Sequence, residues 1–369
     1  MKKKFILPLI TIILVGALVA GCYYMTTPMQ GETEQVEFKV NKGEGARTIV
    51  KNLKKAGLIR NEYFALIYIK LNNTEKNPID LKAGTYQLDK SDSLKDIIAD
   101  LNDPTAAIDE DSIRIRFVDS GTLEDQAAII AKALNMDTNE VIAKLDNTEF
   151  VNQMISKYTI VTNDVLKQGI RHPLEGYLLG DTYDFKKDAI VEEIAEKLIS
   201  TLNDKMMASY KAIGFDWTNY HDVITLASIV EHEGPARGTS NYEKELQGVS
   251  QVFLNRLAVG MTLGSDVTTY YSVKKKIGRD SLTVSDFKTC DGYNTRGTCV
   301  PGLPVGPISS TSIDSIEAVV KGIIKPIDEY KSYYYFVADK NTNIHFSKTD
   351  ADQQKVIKDL KNQGLWLED

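Results

Sequence analysis

An α+β protein is the fold class this sequence predicts: an N-terminal membrane anchor, a small α+β subdomain and a larger α+β domain. Three observations carry that expectation. The chain has 369 residues, enough for roughly two domains beyond an anchor. A sustained apolar run stands at its start, behind a basic flank. After it, short period-two stretches recur among longer helical patterns.

The anchor comes first. Lys2, Lys3 and Lys4 precede an apolar run from Phe5 to Ala20 that Gly21, Cys22, Tyr23, Tyr24 and Met25 extend. As one helix, residues 1–25 span a bilayer core of about 30 Å. The basic flank places the N-terminus inside and everything after Met25 outside. Val19-Ala20-Gly21-Cys22 also resembles a bacterial lipobox, in which Cys22 carries the lipid. Both readings give an exported protein tethered to a membrane.

Residues 35–105 form the small unit. Val36 to Val40 alternates like a strand and runs into Gly43-Glu44-Gly45; Ile49, Val50, Leu53 and Ala56 then follow a helical rhythm that Gly57 stops. Tyr63 to Leu71 is a second helical stretch, Ala83 to Leu88 a short strand, and Ser93 opens a third helix that ends near Asn102-Asp103-Pro104. The strand, glycine-bearing turn and helix that begin at Phe38 are echoed from Ile115. Two such units are too few for a solenoid, which needs three or more repeats.

The larger domain covers residues 110–369. Short amphipathic helices lie between Asp137 and Gln168, and another helix covers Ile190 to Met207. Between them, His172 to Tyr183 mixes turn formers, aromatics and two acids, Glu175 and Asp181. From Val223 the apolar residues Val223, Ile224, Leu226, Ala227, Ile229 and Val230 keep a helical rhythm up to Glu231-His232-Glu233, where Gly234-Pro235 ends it. Glu231 follows Ala227 by four residues and Ile224 by seven, so it leaves the apolar face at the edge of the core. It also sits at the negative end of its helix dipole. Both conditions raise a carboxyl pKa toward what a general acid needs. Glu233 points about 200° away on an ideal helix and cannot share that role.

Composition narrows the function classes. A net charge of -7 argues against a nucleic-acid binder. His172, His221, His232 and His345 are scattered and complete no zinc pattern, so no metal or cofactor is expected. Cys290 and Cys299 flank a short loop and, in an exported chain, are candidates for a disulfide.

Six motifs occur in one order: LEGYLLGDTYDF from Leu174, LASIVEHE from Leu226, QVFLNRLAVGMTLGSDVTTYY from Gln251, YNT from Tyr293, GLPVGPIS from Gly302 and YYYFVAD from Tyr333. Together they resemble the endolytic murein transglycosylases of the MltG (YceG-like) family. The N-terminal unit resembles the LysM-like subdomain of that family, and residues 110–369 its YceG-like catalytic domain. The resemblance implies a membrane-anchored enzyme that cleaves nascent peptidoglycan between N-acetylmuramic acid and N-acetylglucosamine, leaves 1,6-anhydro ends and terminates strands near penicillin-binding proteins. By the SIVE motif, Glu231 takes the place of the catalytic glutamate. Intramolecular attack by the muramyl 6-hydroxyl needs no activated water, so one carboxyl can serve as acid and then base, with no obligatory second carboxylate beside it.

Supporting roles follow for other polar residues. Glu175, Asn255, Ser265, Asp266, Tyr293 and Asn294 are candidates for glycan contact, Ser265 and Asp266 in a loop after Gly260. Asn255 and Arg256 are placed to hydrogen-bond the helix carrying Glu231. Pro304, Gly306 and Pro307 set a loop backbone, and Tyr333 to Phe336 suggests a buried strand. The chain departs from the family pattern at Leu179-Gly180, where Phe-Pro is usual, at Val267, where a proline is common, and at Asp119-Ser120-Gly121, where Glu-Gly is usual. Two other readings compete. A muramidase would use water and a second carboxylate, from Glu175, Asp181 or Asp266. A non-catalytic scaffold would bind glycan and recruit synthases.

Overall fold

The computed structural model describes residues 26–29, 34–76, 78–103, 106–107, 112–213 and 219–366. The expected anchor over residues 1–25 lies outside them. Among the described residues no helix is long and apolar enough to cross a membrane. The architecture is α+β, and the described residues divide into two compact units, those up to Arg114 with Asp184–Lys187, and those from Ile115 to Tyr183 with those from Asp188 onward.

In the first unit, β1 (Gln35–Val40) pairs antiparallel with β2 (Gly84–Asp89), setting Phe38 opposite Tyr86. Phe38 and Val40 are buried while Lys39 between them is exposed, the period of two that a half-buried strand requires. Helix α1 (Ala46–Lys55) adds Ile49, Val50 and Leu53 to this core, and α3 (Leu94–Asn102) adds Ile97 and Leu101. Helix α2 (Glu62–Asn72) starts at Asn61, whose side chain accepts from Phe64 N. A reciprocal Ser93–Asp96 capping box starts α3, satisfying donors that the first turn leaves unpaired.

The second unit begins within β3 (Ser112–Arg116), which pairs with β4 (Thr182–Lys186). Between them run α4 (Leu123–Leu134), α5 (Thr138–Leu145) and α6 (Thr148–Lys157). Then come α7 (Val191–Ile213), α8 (Tyr220–Glu233), α9 (Tyr242–Ala258), α10 (Asp266–Ser272) and α11 (Ile313–Ile324). A hairpin of β5 (Tyr335–Ala338) and β6 (Ile344–Ser347) precedes the last helix, α12 (Asp350–Asn362). Helix α8 packs against α9, α10 and α11, and all of Tyr220 to Val230 except Asp222 is buried. A helix buried on every side lies within a core, and α8 occupies it, with its polar His221 and Ser228 hydrogen-bonded.

Two expectations change. Asp266 opens α10 and Ser265 precedes it at the N-cap, so these residues start a helix rather than line a loop. The Tyr333 to Phe336 stretch reaches a strand only at Tyr335, and that strand is half-buried because it forms a two-stranded hairpin. Cys290 and Cys299 are joined in a disulfide.

Candidate active site

Glu231 lies on the last turn of α8, at the edge of the core. The loop before α11 runs beside this helix and is fastened to it along its length. His221 on α8 meets Val305 O through Nε2 and the Tyr177 hydroxyl through Nδ1. Ser228 Oγ accepts from Ile308 N, and His232 Nε2 meets Ser309 Oγ. Gly176 lets the LEGYL turn join the same packing: its φ is +86°, and a Cβ there would lie 2.4 Å from Pro307 Cβ and 3.0 Å from Ile224.

At the end of this seam the Glu231 carboxylate meets the N-terminus of α11. Ser312 N donates to Oε2 at 3.1 Å, Ser315 Oγ donates to it at 2.6 Å, and the Ser312 hydroxyl is a third donor. The Glu231 side chain is only 8% exposed. A helix N-terminus presents unpaired N–H groups and the positive end of its dipole, so it receives a carboxylate. The negative C-terminal end of α8 and the positive N-terminal end of α11 thus act on Glu231 in opposite senses.

With Oε2 held by three donors, Oε1 is the less tightly bonded oxygen. Its partner is Nη2 of Arg237, at 3.4 Å. Nη1 of the same guanidinium donates to Asp119 Oδ2 at 2.7 Å. Glu231, Arg237 and Asp119, with Ser120, Tyr242, Leu246 and Ser315, line a cleft of about 350 Å³. Burial raises the Asp119 carboxyl above its ordinary range, against the pull of Arg237 and with the help of the nearby Glu231 charge.

Glu233 turns the other way and accepts from Ser265 Oγ at 2.7 Å. It is not a solvated helix end. Burial pushes its carboxyl up, Ser265 opposing.

None of Glu175, Asn255, Ser265, Asp266, Tyr293 and Asn294 lines the cleft around Glu231. Glu175 is 1% exposed and accepts from Leu123 N at 2.8 Å and from the Tyr271 hydroxyl at 3.0 Å. Burial raises its carboxyl to about 7. Tyr293 is buried against Tyr271, with ring centroids 4.7 Å apart, and its hydroxyl accepts from Arg171 N. Glu175 and Tyr271 line a separate, smaller cavity with Arg171, His172 and Lys274. Asn294 is fully buried; its amide donates to the Phe287 and Thr289 carbonyls and its oxygen accepts from Thr269 Oγ1. Asp266 pairs with Arg296 at 2.7 Å.

Asn255 and Arg256 do not bond α8 as expected. Asn255 donates to the Tyr330 and Tyr333 carbonyls and Arg256 to Tyr334 O and Leu263 O, because both leave α9 toward the loops rather than toward α8. Of the residues considered as a second carboxylate, Glu175 is sealed in the core, Asp181 pairs with Lys205 at 2.9 Å and Asp266 with Arg296. The carboxylate that does share the cleft, Asp119, went unrecognised, as did Arg237, Ser312 and Ser315. For Ser312 a signal existed: a serine directly before an apolar helical run is an N-cap, and a capped N-terminus is an anion site.

A model of the YceG-like family matches residues 38–359. A Bacillus subtilis protein named endolytic murein transglycosylase is 29% identical over 347 residues, which is 94% of this chain and 90% of that protein. A Streptococcus pneumoniae protein of the same name is 28% identical over 341 residues, 88% of this chain but 58% of that longer protein. Among solved structures, a YceG-like protein from Listeria monocytogenes aligns with a TM-score of 0.57 and 28% identity, covering 88% of this chain and 100% of that one.

Proposed function

The chain belongs to the YceG-like family, and from that premise we propose that it is a lytic transglycosylase of peptidoglycan. It cleaves glycan strands internally, between N-acetylmuramic acid and N-acetylglucosamine, and leaves 1,6-anhydro-muramic ends. The observation that carries this reading is the pose of Glu231, which lines the cleft with one oxygen held by the N-terminus of α11 and the other met only by Arg237 at 3.4 Å. A carboxyl fixed in this way presents Oε1 to a leaving glycosidic oxygen. Fixing a rotamer-rich side chain before substrate arrives removes an entropic cost from the reaction. Two relatives named endolytic murein transglycosylase support the substrate class.

In the reaction, Glu231 protonates the leaving oxygen as the muramyl 6-hydroxyl closes on the anomeric carbon. Glu175, Asn255, Ser265, Tyr293 and Asn294 hold neighbouring backbone and core in place rather than touch the glycan, and Asp266 is paired with Arg296. The LysM-like first unit binds the glycan strand. The apolar run of residues 1–25, or a lipid on Cys22, tethers the enzyme outside the membrane, where penicillin-binding proteins supply growing strands.

The test is digestion of purified glycan strands by wild type and Glu231→Gln, with products weighed by mass spectrometry. Anhydro ends from wild type and their loss in the variant are expected. Equal rates from both proteins would remove Glu231 from the chemistry. A second reading, hydrolysis of the same bond by water, is favoured by Asp119 across the cleft, since hydrolases pair two carboxylates. Reducing muramic acid ends from wild type would establish it in place of the first.

A further inference from the structure

Asp119 stands on the turn that follows β3. The turn is tightly determined: Ser120 adopts φ of 58°, the Gln126 amide donates to Val118 O at 2.6 Å, and Ser310 N donates to Gly121 O at 2.8 Å. Gly180 packs directly on it. A Cβ at position 180 would lie 2.5 Å from Asp119 N and 2.7 Å from its Oδ1. Gly180 and the Asp119-Ser120-Gly121 turn therefore meet, and the glycine makes room for the aspartate. From there Asp119 and Glu231 are bridged by the two terminal nitrogens of one guanidinium, at 2.7 and 3.4 Å, within one cleft. The two carboxylates are thus no further apart than one guanidinium can span.

We propose that Asp119 is the second catalytic carboxylate of this cleft, the base that takes the proton of the attacking hydroxyl while Glu231 protonates the leaving oxygen. The inference rests on the transglycosylase reading for its substrate. The bond from the anomeric carbon to the leaving oxygen breaks, its electron pair goes to that oxygen, and the Glu231 proton follows. The bond from the anomeric carbon to the 6-oxygen forms, and the 6-hydroxyl proton passes to Asp119. Glu231 ends as the carboxylate and Asp119 as the acid, with no water or other co-reactant consumed. The Asp119 side chain is 30% exposed, so its proton returns to Glu231 through solvent. Burial lifts the Asp119 carboxyl against the pull of Arg237, and the charge that Glu231 gains as it gives up its proton adds to that lift.

Steady-state kinetics on purified glycan strands test the assignment, using Asp119→Asn, Asp119→Glu and Arg237→Gln beside wild type and Glu231→Gln. General-base loss predicts a fall in kcat of about 100-fold or more for Asp119→Asn with KM nearly unchanged. The acid-side limb of its kcat/KM profile against pH disappears, and Asp119→Glu regains most of the rate. Arg237→Gln loses less than Asp119→Asn. The proposal is overturned if Asp119→Asn keeps wild-type kcat, or if Arg237→Gln falls as far as Asp119→Asn, which would make Asp119 only a holder of the guanidinium. Failure of the transglycosylase reading looks different: wild type would then release reducing muramic acid ends, or Glu231→Gln would match wild type.

Discussion

Ser315 Oγ donates to Glu231 Oε2 at 2.6 Å from the first turn of a helix 84 positions further along the chain. The bond is short and nearly dry, and as Glu231 gives up its proton it becomes charge-assisted, among the stronger hydrogen bonds at about 1.5–3 kcal/mol. Ser315→Ala should therefore lower kcat by about 10- to 100-fold while KM and melting temperature change little. Ser312→Ala removes a donor to Glu231 and also the cap that accepts from Ser315 N. It should add a stability loss of about 1 kcal/mol to the kinetic one. Paired kinetics and thermal melts of the two variants check this. Equal melting points with equal kcat losses would count against the capping role.

Glu175 makes a stability prediction that is independent of catalysis. Burial holds its carboxyl near 7 in the folded protein, against an ordinary 4.5 in the unfolded chain. The folded state thus binds this proton more tightly. The contribution is complete below 4.5 and is lost as pH rises through 7. At about 1.4 kcal/mol for each unit, the loss is about 3 kcal/mol. His172 is also raised, burial being outweighed by Asp146 and other acids, and it acts in the same sense as pH rises. Urea unfolding at pH 5 and pH 8 should show wild type weakening across the interval and Glu175→Gln weakening less. A Glu175→Gln protein with the full wild-type slope would place the proton elsewhere.

Much of this fold is visible in local periodicity. The α8 boundary at Gly234-Pro235 and the edge-of-core position of Glu231 follow from spacing, because both are decided within one helix. The same holds for α1, where Ile49, Val50 and Leu53 are buried as their rhythm requires. What surrounds Glu231 has no such local cause. Its donors Ser312 and Ser315 lie 81 and 84 positions away, and Asp119 lies 118 positions from Arg237. Polar pairing at that range leaves no period in a sequence. Tyr293 and Asn294 show the complementary failure. An aromatic ring and an amide suit a sugar as well as they suit a packed interior, and here both are buried and fully bonded. Gly260 suggests a loop at Ser265, yet its hydroxyl bonds Glu233 and its backbone opens α10.

Gly180 tests whether the Asp119 turn and the cleft are mechanically one piece. Its backbone is not left-handed, so an alanine there meets no torsional penalty, only the Asp119 and Val118 backbone at 2.5 and 2.6 Å. Backbone cannot step aside as a side-chain tip can, and overpacking of this kind costs about 1–3 kcal/mol. Gly180→Ala should move the turn, lengthen the 2.7 Å contact from Asp119 to Arg237 and lower kcat while the protein remains folded. If the effect passes through Asp119, the double variant Gly180→Ala with Asp119→Asn should be little slower than Asp119→Asn alone, because neighbours sharing one interaction are non-additive. The measurement is a double-mutant cycle in kcat. Additive losses would mean that Gly180 acts on the cleft by a route that does not include Asp119.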